Sequence, residues 1–352
     1  MTNGRIRVFL VEDSLVCLTI LKQMLATSPA VEVVGTAKDG KEALDLIPSA
    51  APDVICTDLE MPVMDGLELT KTLMKIYPRA ILVVSNYVQK EDTRTIFQVL
   101  EAGAIDVFPK PRGGKTEDFL LKAQELIAKI KILAGVVVFR RQEDAMSLPS
   151  LSLSQPTSPS RSSRRFSLVV MGASTGGPQA FQVILTRLPA DFPVPVICIQ
   201  HISEGFLQGM VDWLSTQCAM KVKTATVGTV PQPGVIYFPI EGMHLELDVK
   251  GALSSSTVEA VEGHRPSVDV TFQSIAKHWY GKSAIGVLLT GMGRDGVAGL
   301  KTLREAGSLT IAQDEQSSVV FGMPRQAIEL GAAAQVLPLQ KIAPTIVSAV
   351  SR

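Results

Sequence analysis

From Ile6 to about Ile132, short apolar runs alternate with amphipathic stretches. Five runs, IRVFLVED, VEVVGTA, PDVICTD, RAILVVS and AIDVFPK, are rich in Val and Ile and predict strands. Between them apolar residues recur at helical spacing, as at Leu18, Leu21, Met24 and Leu25. Strands that alternate with helices predict a parallel sheet wound on both faces. Residues 141–166 break the pattern with eight serines, three prolines and no periodicity, which predicts a flexible linker. From Ser167 the alternation resumes with SLVVMGA and VPVICIQH, then VKTATV and VIYFPI, which predict a hairpin region. A helix at SVDVTFQSIAKHW comes next, then AIGVLLTG, a helix, LTIAQD, another helix and AQVLPL. The expected architecture is α/β, with two doubly wound parallel-sheet domains at residues 1–140 and 167–352 joined by the linker 141–166.

Composition narrows the function classes. A chain of 352 residues suits two domains, and 46% hydrophobic residues can give each its own core. Lys plus Arg, 34, balance Asp plus Glu, 34, so no basic excess points to nucleic acid and no net charge points to a membrane surface. Cys17, Cys56, Cys198 and Cys218 are isolated in apolar stretches without a C-x-x-C pair, which speaks against metal clusters and disulfide frameworks. The apolar part of the N-terminus is too short for a signal peptide, and no later run approaches a membrane span. The expectation is a cytoplasmic protein without membrane insertion.

In the first domain, polar residues collect at strand ends. Glu12 and Asp13 end the first strand, Asp58 the third, Ser85 the fourth and Lys110 the fifth. In an open parallel sheet, ligands bind outside the carboxyl ends of the strands. Three carboxylates repel one another unless a hard cation such as Mg²⁺ sits among them, and a lysine adds a point charge for an anion such as phosphate. One acidic strand end would mean nothing, but five polar groups on separate ends do. The set resembles the receiver domain of bacterial response regulators over residues 5–134. That resemblance implies that Asp58 accepts a phosphoryl group from a histidine kinase and that Glu12, Asp13 and Asp58 hold Mg²⁺. It further implies that Ser85 and Lys110 read the phosphate, with Phe108 coupled to Ser85.

The second domain opens with GASTGG, residues 172–177, directly after an apolar strand. Small neighbours permit a sharp strand-to-helix turn that lifts Ser174 above the sheet. A serine hydroxyl needs a base, and the base needs an orienting group. His201 ends VPVICIQH and Asp295 comes after AIGVLLTG, so Ser174, His201 and Asp295 can share one sheet edge. The order Ser…His…Asp differs from the Ser…Asp…His order of α/β-hydrolases. Each residue alone has a bland role: Ser174 at a helix start, His201 as a satisfied polar group, Asp295 capping the helix near Gly296. All three at strand ends of one domain favour chemistry. A competing reading is a dinucleotide site. GMGRDG, residues 291–296, fits G-x-G-x-x-G, and Asp314 lies eighteen residues beyond Gly296. Against it, Asp295 falls inside the fingerprint, where its carboxylate would oppose a pyrophosphate.

GASTGGP, QH, HRPSVDVTF and LLTGMGRDG are similar to the catalytic domain of the chemotaxis protein-glutamate methylesterase (CheB) family. That family joins a receiver, a linker and a Rossmann-like esterase domain in this order. The resemblance implies Ser174 as nucleophile, His201 as base, Asp295 as its orienter and the Met292 N–H as an oxyanion donor. It implies γ-glutamyl methyl esters on chemoreceptors as substrate, methanol as product, deamidation of receptor glutamines and no cofactor for ester hydrolysis. It also implies that the unphosphorylated receiver inhibits the esterase. IEGMH, residues 240–244, departs from the family's P-G-D-x-H-like stretch while keeping His244. An adaptor with an inactive esterase domain is a competing class, against which the intact Ser174, His201 and Asp295 set argues.

Overall fold

The structure, a computed structural model, describes residues 4–86, 90–111, 116–136, 138, 166–279 and 283–351. The predicted linker falls outside the described residues except for Phe166, which already belongs to a strand.

The first half runs β1 (Ile6–Val11), α1 (Leu15–Ala26), β2 (Val31–Ala37), α2 (Gly40–Ala50), β3 (Val54–Thr57), α3 (Gly66–Ile76), β4 (Ala80–Ser85), α4 (Lys90–Ala102), β5 (Asp106–Pro109) and α5 (Thr116–Leu133). Its five strands form one parallel sheet in the order β2-β1-β3-β4-β5. Alternate strand residues face opposite layers. Val8 and Leu10 pack with Cys17, Leu21 and Ile130 of α1 and α5, whereas Phe9 and Val11 pack with Ile47, Leu73 and Phe97 of α2, α3 and α4. Burial on both faces explains why these strands read as continuous apolar runs.

The second half runs β6 (Phe166–Ala173), α6 (Gly177–Leu185), β7 (Val196–Gln200), α7 (Leu207–Ser215), β8 (Lys221–Thr224), β9 (Val235–Phe238), β10 (His244–Leu247), β11 (Leu253–Ser256), α8 (Val268–His278), β12 (Ser283–Leu288), α9 (Val297–Glu305), β13 (Leu309–Gln313), α10 (Met323–Glu329), β14 (Gln335–Leu337) and α11 (Leu339–Val350). Seven strands make a parallel sheet in the order β14-β13-β12-β6-β7-β9-β8. The expected hairpin of VKTATV and VIYFPI is not one: β8 and β9 pair in parallel, with β9 inserted between β7 and β8. The segment between them carries GTVPQPG and looks like a turn, but it is a crossover. The antiparallel hairpin is β10 with β11, which the sequence pattern did not reveal.

The two halves share one continuous apolar cluster. Phe97 of α4 stacks on Trp213 of α7 with ring centroids 5.2 Å apart, and both are buried. Such a stack is worth about 0.5–1.5 kcal/mol beyond its area.

Candidate functional site

Strand β6 delivers Ser174 to the carboxyl edge of the large sheet. The turn is locked on three sides. The Ser174 N–H donates to the Thr290 carbonyl (3.0 Å), and the Ser174 carbonyl accepts from the Gly177 N–H (2.8 Å) and from Gln200 Nε2 (2.8 Å). Gly176 starts α6 at φ +77°, a left-handed conformation that a Cβ would strain, and a Cβ on Gly177 would collide with the Gln200 side chain. This explains the paired glycines. Ser174 is half-buried, and its Oγ makes no hydrogen bond among the described residues.

Strand β7 runs alongside β6 and places His201 next to the serine turn, its N–H donating to the Ala173 carbonyl (2.9 Å). His201 Nε2 lies 2.7 Å from Asp295 Oδ2, and His201 Nδ1 is buried with no hydrogen-bond partner among the described residues. An N–H at Nε2 directed to a carboxylate leaves the Nδ1 lone pair free to accept a proton.

Asp295 is only 1% exposed, and its surroundings keep it ionised. It does not cap α9, the neighbour the sequence suggested; it sits at the start of α8. Oδ1 accepts from Ser267 Oγ (2.7 Å) and the Asp269 N–H (3.0 Å), and Oδ2 accepts from the Val268 N–H (2.7 Å). A helix N-terminus offers both donors and a favourable dipole. Burial pushes this carboxyl up, but His201 and the α8 donors outweigh burial and hold it below its ordinary value. The expected clash of Asp295 with a pyrophosphate is therefore not its role, since the carboxylate is turned to α8. Asp314, the other half of the dinucleotide pattern, is engaged locally with the N–H and Oγ of Ser317.

Behind this set, the Ser267 N–H donates to His244 Nδ1 (3.1 Å), and His244 Nε2 reaches the Glu259 carbonyl (3.2 Å). His244 is fully buried and supports the start of α8. Ser267 is both the N-cap of α8 and a donor to Asp295. Ser267→Ala is expected to cost about 1–3 kcal/mol, since it removes a cap and a buried bond to a charge. A shift in the denaturant midpoint at unchanged slope would register it.

In the smaller sheet, Asp58 is 4% exposed and comes directly after β3. Lys110 Nζ lies 2.6 Å from Asp58 Oδ2 and 3.0 Å from Glu12 Oε1. Burial pushes the Asp58 carboxyl up, Lys110 pulls it down and Glu12 raises it, with a net rise to about 6. Burial alone would lower Lys110, but the two carboxylates raise it. Carboxylate oxygens of Glu12, Asp13 and Asp58 lie within 4.8 Å of one another, with Glu12 and Asp58 buried and Asp13 exposed. Glu12 Oε2 is buried without a hydrogen-bond partner among the described residues. An orphaned carboxylate oxygen beside two other carboxylates fits a hard, oxygen-ligated cation. Ser85 ends β4 within the same edge, and Phe108 on β5 is fully buried beside Val84.

The sequence matches the CheB methylesterase family over residues 169–346 and the response regulator receiver domain over residues 8–122. A protein-glutamate methylesterase/protein-glutamine glutaminase of Nitrosospira multiformis is 39% identical over 352 residues, spanning 98% of this chain and 97% of the relative. One of Cupriavidus metallidurans is 42% identical over 344 residues, spanning 97% of each. The chain belongs to the CheB methylesterase family. Among solved structures, the CheB methylesterase catalytic domain of Thermotoga maritima is similar at 35% identity and a TM-score of 0.50, covering 52% of this chain and 98% of that one.

In this CheB-family chain the structure brings the receiver against the serine turn. Asp106, at the start of β5, accepts a hydrogen bond from Thr175 Oγ1 (3.0 Å), the residue after Ser174, and pairs with Lys129 of α5 (2.7 Å). Around this point Gln179 Nε2 donates to the Ala104 carbonyl (2.8 Å), and Gln182 and Gln217 donate to Glu101 Oε1 (2.6 Å each). Met292 is 50% exposed and shares a cleft with Leu120, Gln124 and Ile127 of α5. Its N–H, like that of Thr175, has no hydrogen-bond partner among the described residues, so both can serve a ligand. Sequence reasoning missed Ser267, Thr175 and Asp106, and it noted His244 without its supporting role at the start of α8. A serine just before VDVTF was a readable helix cap, but Asp106 and Thr175 are far apart in sequence and carry no local signal.

Proposed function

We propose that the chain hydrolyses γ-glutamyl methyl esters on chemoreceptors to glutamate and methanol, that it also deamidates receptor glutamines, and that phosphorylation of Asp58 by a histidine kinase relieves inhibition by the receiver. The observation that carries the reading is His201, bound to a buried Asp295 through Nε2, with Nδ1 unpartnered among the described residues, at the end of the strand that pairs with the one leading to Ser174. His201 Nδ1 takes the Ser174 hydroxyl proton as Oγ attacks the ester carbon. The Met292 N–H and the N–H of Thr175, the residue after the nucleophile, meet the oxyanion. His201 then gives the proton to the departing methanol oxygen, and water, activated in the same way, releases glutamate. For a glutamine side chain the leaving group is ammonia and the steps are otherwise the same. The whole reaction has a cytoplasmic setting.

On the receiver, Glu12, Asp13 and Asp58 would hold Mg²⁺, which when bound neutralises charge on the transferring phosphoryl group. The new phosphoryl oxygens compete for Lys110, now paired with Asp58 and Glu12, and engage Ser85. A charge gain of about −1.5 to −2 at this edge shifts α4, β5 and α5, which hold the esterase. The test is methanol release from methylated receptor membranes, with and without acetyl phosphate and Mg²⁺. The phosphodonor is expected to raise the rate of the wild type and to leave Asp58→Asn at its low basal rate. An Asp58→Asn variant still stimulated by the phosphodonor would place the switch elsewhere.

A further inference from the structure

His264 is the histidine beside the site that the catalytic scheme does not use. It closes a tight turn in which the His264 N–H donates to the Val261 carbonyl (2.9 Å) and the Val261 N–H donates to the His264 carbonyl (3.1 Å). The two residues between them, Glu262 (φ +52°) and Gly263 (φ +81°), are both left-handed. A left-handed glutamate is uncommon, so the chain accepts strain to set the position of His264. The His264 ring lies on the His201 ring, with centroids 3.8 Å apart and planes 4° from parallel. No hydrogen bond from the His264 ring is found among the described residues, so the stack is its main engagement. His201 is thus held at Nε2 by Asp295 and on one face by His264, with Nδ1 left open.

We propose that His264 is a positioning residue for the hydrolysis: its stacked ring fixes the plane of His201 and stabilises the imidazolium formed when His201 Nδ1 takes the Ser174 proton. This inference rests on the proposed roles of Ser174 and His201. A histidine anchored at one nitrogen can still swing about that bond, and a parallel ring on one face removes this freedom. A neutral aromatic face beside a developing cation is also attractive, as in cation–π pairs. His264 is suited to stay neutral. Burial and then the charge of His201 push its pKa down to about 4, against the pull of Asp295 and Glu262, while Lys129 of the receiver adds to the push. Among the described residues, these four are the charged groups that bear on it most. No proton needs to pass through His264, because the proton leaves Ser174 Oγ for His201 Nδ1 and then goes to the leaving oxygen.

The test compares full-length wild type, His264→Phe, His264→Leu, His264→Ala and Ser174→Ala, all with acetyl phosphate and Mg²⁺, on methylated receptor membranes. Phenylalanine keeps the ring, and leucine keeps volume without it. His264→Ala and His264→Leu are expected to lose about tenfold in kcat with KM changed less than about twofold. Their acid limb of kcat is expected to move to lower pH, because the His201 imidazolium has lost its support. His264→Phe is expected to stay within about threefold of wild type with its acid limb in place. Equal kcat for the phenylalanine and leucine variants, or an unmoved acid limb in the leucine variant, would overturn the proposal. Should the alanine variant fail to fold, the phenylalanine–leucine pair decides alone. A Ser174→Ala variant with normal turnover would instead defeat the underlying reading. An inactive Ser174→Ala beside a normal His264→Leu would defeat this proposal only.

Discussion

Asp295→Asn is expected to lower kcat for methanol release by about 10⁴-fold, the loss seen when a triad carboxylate becomes an amide. Asparagine fits the same space, but its amide group can donate to His201 Nε2. That turns the imidazole into the tautomer with the proton on Nδ1, where it cannot accept from Ser174. The carboxylate also gathers Ser267 Oγ and the N–H groups of Val268 and Asp269, so the neutral amide loses a charged acceptor at a helix start. The depressed acidity of Asp295 has a second consequence. A carboxyl whose folded pKa lies below its unfolded value of about 3.9 stabilises the fold fully above that value and loses the contribution as pH falls. The melting temperature of Asp295→Asn is therefore expected to fall further below wild type at pH 7 than at pH 3. A loss of less than tenfold in kcat would mean that His201 needs no carboxylate, and an equal gap in melting temperature at both pH values would mean that Asp295 is not held ionised by the fold.

Removal of residues 1–140 is expected to raise basal methanol release by roughly 5–150-fold, the span of typical couplings between sites, and to abolish the response to acetyl phosphate. The receiver is docked by the Phe97–Trp213 stack, by Glu101 between Gln182 and Gln217, and by Asp106 on Thr175. The last contact is one residue from the serine, so a docked receiver both crowds the turn and occupies the hydroxyl beside it. Asp106→Ala in the intact chain is expected to raise basal turnover in the same direction by a smaller factor, because the apolar stack remains. The comparison is made on one batch of methylated membranes. If the truncated enzyme is slower than the unphosphorylated intact chain, the receiver acts as more than a lid.

Much of this arrangement is legible before any coordinates. A strand end is marked by the switch from Val and Ile to a polar residue, and β1, β3, β4, β5, β6 and β7 each show it near a site residue. The parallel sheet then forces those residues to one edge, which is why Asp58 and Lys110 meet from positions 52 residues apart. Pairing direction is less legible. The connection between β8 and β9 is rich in Gly and Pro, and composition does not separate a turn from a crossover. The partner of Asp295 was not legible either: sequence proximity pointed to α9, whereas tertiary packing supplies the N-terminus of α8. The contact of Asp106 with Thr175 depends on how two domains dock, which no periodicity encodes.

The central claim is that Ser174 is the nucleophile, and its most direct measurement is methanol release from methylated receptor membranes by Ser174→Ala in the presence of acetyl phosphate and Mg²⁺. The variant is expected to keep the melting temperature of the wild type, since Ser174 Oγ makes no hydrogen bond among the described residues. Its turnover is expected to fall by at least on the order of 10⁴, as when a triad nucleophile is removed. A folded Ser174→Ala that releases methanol within tenfold of the wild-type rate would contradict the account.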